Sequence, residues 1–360
     1  MIETPAKGPE TLLSEQKTAA QAEMLGNRLK KRYRHLRRWA RRTGAGAYRL
    51  YDRDIPEIPL VLDFYGDAES SATAGAATGA IAGALYERPY EKEGEARWLA
   101  AMTEAVSGAL GIPGDSIFLK ERSRQRGRAQ YEKIRSRGEV RDITEGGLRF
   151  RVNLSDYLDT GLFPDHRKTR GLVREISPGK RVLNLFCYTA SFSVYAAAAG
   201  AQSVDSVDLS NTYLDWAKTN FALNKLEALP VSPAALCGGA APLPPFRLIR
   251  ADALRFLEAA ASLRWDLIIL DPPAFSNSKN MERVLDLKRD HRGLIARCLS
   301  LLAPAGRLIF SANLRGFALN PEDFPGTAVE DMRETIRDED FAGRRLPAVY
   351  SFTVMQGKDN

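Results

Sequence analysis

This sequence predicts an α/β protein in two parts. A basic helix and a small α/β domain come first. A larger domain follows, built on a mostly parallel sheet with helices on both faces. Three observations predict this. The chain has 360 residues, more than one ordinary domain holds, and 44% apolar residues, enough for a sizeable core. From about residue 156 short strands alternate with amphipathic helices, the pattern of βαβ units. Those strands are near-continuous apolar runs, as a sheet buried on both faces requires.

Residues 1–46 read as a disordered start and a basic helix. Residues 1 to about 22 are polar. In "AEMLGNRLKKRYRHLRRWARRTGAG" the residues Leu25, Leu29, Tyr33, Leu36 and Ala40 fall three or four apart, giving one apolar helical stripe. Arg28, Lys30, Lys31, Arg34, Arg37, Arg38, Arg41 and Arg42 cover the remaining surface, and Gly44 and Gly46 end the helix.

Residues 47–155 read as the small α/β domain. "LVLDF", "AIAGALYE" and "SIFLKER" are strand candidates, and "EARWLAAMTEAVSGALGI" is a helix. "EVRDITEGGLRFRVNL" predicts a hairpin turning at Gly146 and Gly147. "GDAESSATAGAATGA" is a low-complexity hairpin tip.

Residues 156–360 form the second domain. Its strands are "RVLNLF", "SVDSVDL", "FRLIRAD", "WDLIILD" and "GRLIFSA". A small-residue helix follows the first strand. Later helices include "NTYLDWAKTNFALNKL", "ALRFLEAAASL" and "VLDLKRDHRGLIARCLSLLA". "EALPVSPAALCGGAAPLPPF" is a Pro/Gly/Ala-rich loop with no assigned function.

The bulk numbers narrow the function class. Lys and Arg exceed Asp and Glu by 52 to 45, a net charge of +7. That excess favours a polyanionic partner where it is clustered. Cys187, Cys237 and Cys298 are scattered with no metal-ligand spacing, and their odd number argues against a disulfide framework. A reducing cytoplasm is expected. The start "MIETPAKGPE" has no basic cap before an apolar run, so no signal peptide is expected. No stretch approaches a membrane span, so no membrane partner is expected.

Ligands of an open parallel sheet bind outside the carboxyl ends of its strands. Four such ends are polar here: Asn184 to Ala190 after the first strand, Asp208 after the second, Asp252 after the third, and Asp271-Pro272-Pro273 after the fourth. An acid after the second strand accepts hydrogen bonds from ribose hydroxyls, and one after the third can accept from an adenine amino group. The first loop lacks the Gly-x-Gly-x-x-Gly that cradles a pyrophosphate. S-adenosylmethionine carries adenosine, no phosphate and a cationic sulfonium, so it is the ligand this pattern suits. Each acid alone also reads as a turn residue or helix cap, and Asp-Pro-Pro as a plain strand terminator.

With these residues in view, the chain resembles the bacterial 23S rRNA methyltransferases of the RlmI/RlmK type, most nearly the guanine-N7 (RlmK) half of bifunctional RlmKL enzymes. The resemblance runs from about residue 24 to the C-terminus. It rests on "NRLKK", "YRLYDRDIPE", "VNLSDYLDTGLFPDHR", "LNLFCYTASFSV", "DSVDLSNTYLDWAKTNFALN", "DPPAFSNSKNM", "RDH" and "FSANLRGF". It implies a Rossmann-like class I methyltransferase domain, with S-adenosylmethionine as cofactor. Asn184, Phe186, Tyr188, Thr189 and Ala190 would then hold the methionine end. Asp208, with Leu209 and Ser210 beside it, would take the ribose, and Asp252 with Ala253 the adenine. Phe163, Asp165 and Arg167 would close the pocket from the preceding segment. Asp271, Pro272, Pro273 and Phe275 would face the methyl group and the target base. Ala190 departs from the glycine the family commonly has there.

The atom methylated is read from chemistry. Pyrimidine C5 is a poor nucleophile and needs a thiolate to add to the ring first. The cytosine enzymes of this type carry that cysteine just after the fifth strand, where this chain has Ser311, Ala312 and Asn313. Cys298 falls in a helix with apolar neighbours and reads as core. Guanine N7 carries an in-plane lone pair and requires no proton removal. The lack of a candidate catalytic histidine fits that reading, since His166 and His291 fall in helical stretches. Guanine N2 is the alternative, because Asp271 and a proline carbonyl can orient an amine. A non-catalytic RNA-binding assembly factor is the rival from another class. Phe275 would stack on the unstacked base in either methylation reading.

The expected partner is 23S rRNA or a large-subunit precursor, and the oligomeric state is left open, a monomer included. Arg28, Lys31, Arg34, Arg37, Arg38 and Arg41 on the helix are candidate phosphate contacts. Arg124, Arg126 and Arg128 in "RSRQRGR" form a second basic stretch, and Lys279 is placed to meet a flanking phosphate. A solvated charged face is the competing reading of the helix.

Overall fold

A computed structural model describes residues 9–66, 79–86, 95–122, 138–157, 159–238, 242–276 and 284–355. The chain divides into two compact units. One holds residues 1–125, 133–147 and 153–160, the other residues 126–132, 148–152 and 161–360.

The first unit opens with α1 (Pro9–Thr43), followed by β1 (Ala47–Asp52), β2 (Leu60–Tyr65), β3 (Ala80–Tyr86), α2 (Glu95–Leu110), β4 (Ile117–Arg122) and β5 (Val140–Glu145). Helix α1 starts well before the expected position. Its first half is rich in Glu, Gln, Lys and Ala, all good helix formers. Gln21 also ties it to α2 by accepting from the Trp98 indole at 2.7 Å. The expected stripe is the buried one. Leu25, Leu29, Tyr33, Leu36 and Ala40, joined by Trp39, pack with Trp98, Met102 and Val106 of α2 and with Tyr48, Leu62 and Ile81 of the sheet. The sheet runs β1-β2-β3-β4, antiparallel except for the last pair. Strand β1 was not anticipated, because its six residues follow the helix directly after Gly46. A side chain at Gly46 would meet the Thr144 carbonyl at 2.4 Å, so only glycine lets the chain turn there. The basic stretch holding Arg124, Arg126 and Arg128 lies outside the described residues, as does most of the low-complexity segment.

Strand β6 (Leu148–Asn153), whose residues 148–152 belong to the second unit, follows Gly146 and Gly147, which adopt the positive φ expected of a tight turn. Then come α3 (Arg167–Ile176), β7 (Arg181–Leu185), α4 (Ser191–Ala198), β8 (Ser203–Asp208), α5 (Asn211–Leu223), β9 (Leu229–Pro230), α6 (Pro233–Cys237), β10 (Phe246–Arg250), α7 (Ala253–Ala259) and β11 (Trp265–Leu270). Two short strands, β12 (Phe275–Ser276) and β13 (Leu285–Asp286), precede α8 (Leu287–Ser300), β14 (Leu302–Ala312), β15 (Thr327–Asp331) and β16 (Ala348–Val354). The sheet order is β15-β16-β14-β11-β7-β8-β10-β9. Every pair from β14 to β9 is parallel, whereas β16 and β15 add to the β14 side antiparallel. Helices α3, α4 and α5 pack in one series and α6, α7 and α8 in another, as a sheet covered on both faces requires. The five expected strands, β14, β11, β7, β8 and β10, are neighbours in the sheet. Strands β15 and β16 were missed because they return from a long irregular segment without the strand–helix rhythm that marks the others. Successive strands spread outward from β7 in one direction and from β11 in the other, which makes β7/β11 the switch point where such sheets bind ligands.

Candidate active site

Strand β7 is buried almost throughout and stops at Leu185. Its last polar side chain, Asn184, is 1% exposed and donates through Nδ2 to Ser193 Oγ at 2.9 Å. Ser206 Oγ meets the same Ser193 hydroxyl at 2.8 Å, which fixes the orientation of the amide. Asn184 Oδ1 is buried with no partner among the described residues. An orphaned buried acceptor is costly, and this one belongs to the residue before the last of β7, next to the switch point.

The loop that follows is wound in an unusual way. Phe186, Tyr188 and Ala190 all have positive φ (55°, 52° and 59°), although none is glycine. Such residues cluster where surrounding contacts over-determine the backbone. The contacts are visible here. Asp208, ending β8, accepts from the Tyr188 amide at 3.0 Å with one carboxylate oxygen and from the Ser210 amide at 2.9 Å with the other. Thr189 Oγ1 donates to the Gly161 carbonyl at 2.6 Å, and the Thr189 carbonyl accepts from Asn220 at 2.9 Å. Ala190 is fully buried and opens α4 without a side-chain cap. Burial pushes the Asp208 carboxyl up to about 6 even though the Ser210, Tyr188 and Leu209 amides hold it down. A hydroxyl-bearing ligand donating to the remaining lone pairs would stabilise its charged form. Ser210 itself caps α5 by accepting from the Tyr213 amide.

Aromatic rings surround this loop. Tyr188 lies 4.6 Å from Tyr213, 5.5 Å from Phe163 and 6.3 Å from Trp216, centroid to centroid. Gly161, at φ 97°, passes so close to Trp216 that an added Cβ would meet the indole at 2.2 Å. Phe163 remains 38% exposed. Asp165 Oδ1 is buried without a partner among the described residues, a second acceptor suited to a ligand's donors. The Arg167 guanidinium is buried and forks onto Asp338 at 2.8 Å and both oxygens of Asp340 at 3.0 and 3.1 Å, which anchors the segment that carries Phe163 and Asp165.

Asp252 is a helix cap: its Oδ1 accepts from the Leu254 and Arg255 amides at 3.0 and 3.1 Å. That does not remove it from the site, since Oδ2 is used by neither amide and buried Ala253 stands beside it. At the end of β11, Asp271 accepts through Oδ1 from Ser311 Oγ on β14. His166, only 5% exposed, brings Nε2 to 3.7 Å from Asp271 Oδ2. The absence of a candidate histidine, used above to support N7, therefore does not hold: folding places His166 beside Asp271. Neither His166 nor Ser311 was marked by the sequence, because their proximity is created only by the order of strands. Pro272 is buried, whereas Phe275 is 48% exposed, its backbone held in a ladder to Asp286. Lys279 lies outside the described residues.

The chain's three cysteines are poorly disposed to attack. Burial and the neighbouring Asp208 push the Cys187 thiol well above its usual range. Burial alone does so for Cys298, fully enclosed in the core beside Leu294 and Ile295. Cys237 is raised too, by burial and then by Asp205.

On α1 in the other unit, Lys31, Arg34, Arg38 and Arg41 are exposed. Arg28 is paired with Asp54 at 2.7 Å, and Arg37 lies 6.0 Å from the Tyr33 ring centroid. Among the described residues no helix is long and apolar enough to cross a membrane.

Residues 65–345 match a family of S-adenosylmethionine-dependent methyltransferases. The chain is 45% identical over 322 residues to ribosomal RNA large subunit methyltransferase K of Neisseria meningitidis serogroup B, covering 89% of this chain and 84% of that protein. It is 44% identical to ribosomal RNA large subunit methyltransferase K/L of both Chromohalobacter salexigens and Hahella chejuensis, covering 90% and 94% of this chain but only 41% and 43% of those proteins. The chain thus spans about two-fifths of the length of the K/L relatives. Among solved structures it is similar in fold to an S-adenosylmethionine-dependent methyltransferase from Streptococcus mutans, at 21% identity and a TM-score of 0.66 over 92% of this chain and 81% of that one. A methyltransferase solved with SAH gives a TM-score of 0.67 at 22% identity, covering 92% of this chain and 82% of that one.

Proposed function

The chain belongs to the S-adenosylmethionine-dependent methyltransferase family, and from that premise we propose that it methylates a guanine of large-subunit (23S) rRNA at N7. The observation that carries a nucleobase substrate is Phe275. A phenylalanine nearly half exposed, four residues past Asp271 and fixed by a backbone ladder, is suited to stack an unstacked base. The names of the large-subunit rRNA relatives support the RNA class.

S-adenosylmethionine supplies a methyl group on a sulfonium. Asn184 Oδ1 and Asp165 Oδ1, both orphaned acceptors, fit the donors of its amino-acid end. Asp208 fits its ribose and Asp252 its adenine. The left-handed loop from Phe186 to Ala190 turns backbone between those groups. The chain's remaining work is alignment and exclusion of water. Pro272 and Pro273 stiffen the backbone after Asp271 and donate no N–H. Bound S-adenosylmethionine would supply an electrophilic methyl to the guanine N7 lone pair, its sulfonium leaving as the neutral thioether. No base would be needed to remove a proton, and the purine would take up the positive charge. A carboxylate at Asp271 opposes that charge. Pyrimidine C5 is disfavoured because none of the three thiols is disposed to ionise.

Guanine N2 remains the second reading, favoured by the approach of His166 to Asp271, which could together accept an amine proton. Incubation of unmodified 23S rRNA with methyl-labelled cofactor, followed by nucleoside mass analysis and aniline cleavage, distinguishes them. Labelled 7-methylguanosine with strand scission supports N7. Labelled N2-methylguanosine without scission replaces it, and a labelled pyrimidine sinks both.

A further inference from the structure

We propose that Ser311 and His166 are positioning residues for methyl transfer, holding the Asp271 carboxylate in one orientation beside the accepting base; this rests on the reading of the chain as a guanine methyltransferase. Three elements distant in sequence meet here. Asp271 directly follows β11, Ser311 lies on the neighbouring parallel strand β14, and His166 precedes α3. Ser311 is 3% exposed and its hydroxyl donates to Asp271 Oδ1. A donor on a carboxylate favours the charged form and removes rotational freedom about the last torsion. His166 is enclosed and close to Oδ2, with its ring packed edge-on against Phe192 at 5.6 Å. Its Nδ1 is buried with no partner among the described residues, so nothing described there fixes the ring except packing and the carboxylate.

The chemistry gives these contacts a purpose. Transfer moves positive charge from sulfur to the purine, so a fixed carboxylate at the base end binds the transition state better than the ground state. A carboxylate free to rotate loses that advantage.

The test is a double-mutant cycle with a spectroscopic arm. Ser311→Ala should lower kcat on 23S rRNA roughly tenfold or more, the loss of a hydrogen bond to a charged group, and His166→Ala should lower it too by removing the ring that stands 3.7 Å from Asp271 Oδ2. Cofactor Kd by calorimetry should stay within about twofold, and Ser311→Thr and His166→Gln should restore most of the rate. In an Asp271→Asn background the same substitutions should cost less than about twofold more, since the group they hold is already altered. The chain has three histidines, so the His166 ring resonances are assignable by their loss in His166→Gln. They should move in Asp271→Asn. Additive losses, a parallel rise in cofactor Kd, or unmoved His166 resonances overturn the inference while leaving the function standing. Wild-type protein that methylates no large-subunit rRNA overturns the function, and the inference with it.

Discussion

At the scale of single residues, Asp208 and Ala190 set the two sharpest tests. Asp208 serves two masters: it ties down the Tyr188 and Ser210 amides and has lone pairs left for ribose hydroxyls. Asp208→Ala should weaken cofactor binding roughly tenfold to a hundredfold, the worth of charge-assisted hydrogen bonds at about 1.5–3 kcal/mol. An unchanged Kd by calorimetry would move the ribose elsewhere. The pH dependence follows from the carboxyl's rise to about 6. Hydroxyl donors favour the carboxylate, so binding must expel a proton below that value. Wild-type affinity should fall as pH drops from 7 to 5, and that fall should vanish in Asp208→Asn. The sign for stability is opposite: the folded state holds a proton the unfolded chain has lost between the ordinary carboxylate range and 6, so Asp208 makes folding less favourable as pH rises through that window. The φ of 59° at Ala190 carries a physical cost, because a left-handed alanine is disfavoured by about 1–2 kcal/mol. Part of that is offset by the extra freedom glycine has when unfolded. Ala190→Gly should therefore raise the melting temperature slightly, with cofactor affinity unchanged or tighter. A clear loss of affinity would mean that the alanine methyl touches the ligand.

At the scale of elements, α1 shows what a helical pattern can and cannot disclose. Its buried stripe was legible because burial follows a fixed period, and Leu25, Leu29 and Leu36 are fully enclosed. Its start was not, because a polar helix end is held by interactions such as Trp98 to Gln21 and not by its own periodicity. The partners of its arginines were also hidden: Arg28 is drawn to Asp54 and Arg37 to Tyr33. Charge reversal is therefore best made at Lys31, Arg34, Arg38 and Arg41, which are exposed. If these bind phosphates, RNA affinity should fall across sequences. The slope of log affinity against log salt should drop by about 0.7–0.9 for each phosphate no longer neutralised. Cofactor affinity and the circular dichroism spectrum should not change, since the apolar stripe is untouched. RNA affinity and salt slope that both stay put in filter binding would make the helix a merely solvated face.

At the scale of the whole molecule, the chemistry can be tested by removing every thiol. A Cys187→Ala, Cys237→Ser, Cys298→Ala triple variant should keep its cofactor affinity and most of its methyl transfer, because transfer to N7 or N2 needs no covalent adduct. Alanine is chosen at Cys298 because that side chain is fully enclosed among apolar residues, where a serine hydroxyl would go unsatisfied. A folded, cofactor-binding variant without turnover would revive a thiolate mechanism. By itself the sequence determined the α/β class, five adjoining strands of the larger sheet, and the acids at their carboxyl ends. Each of these is written locally, in the period of apolar residues or in a polar residue closing a strand. Tertiary structure alone decided which strand ends become neighbours, that β16 and β15 extend the sheet antiparallel, and that Arg167 is committed to Asp338 and Asp340. It also brought His166 and Ser311 to Asp271. The physical reason is that a strand's own pattern fixes which residues are buried, whereas strand order depends on how all the connections pack at once, so pairings between residues scores of positions apart leave no periodic trace in the chain.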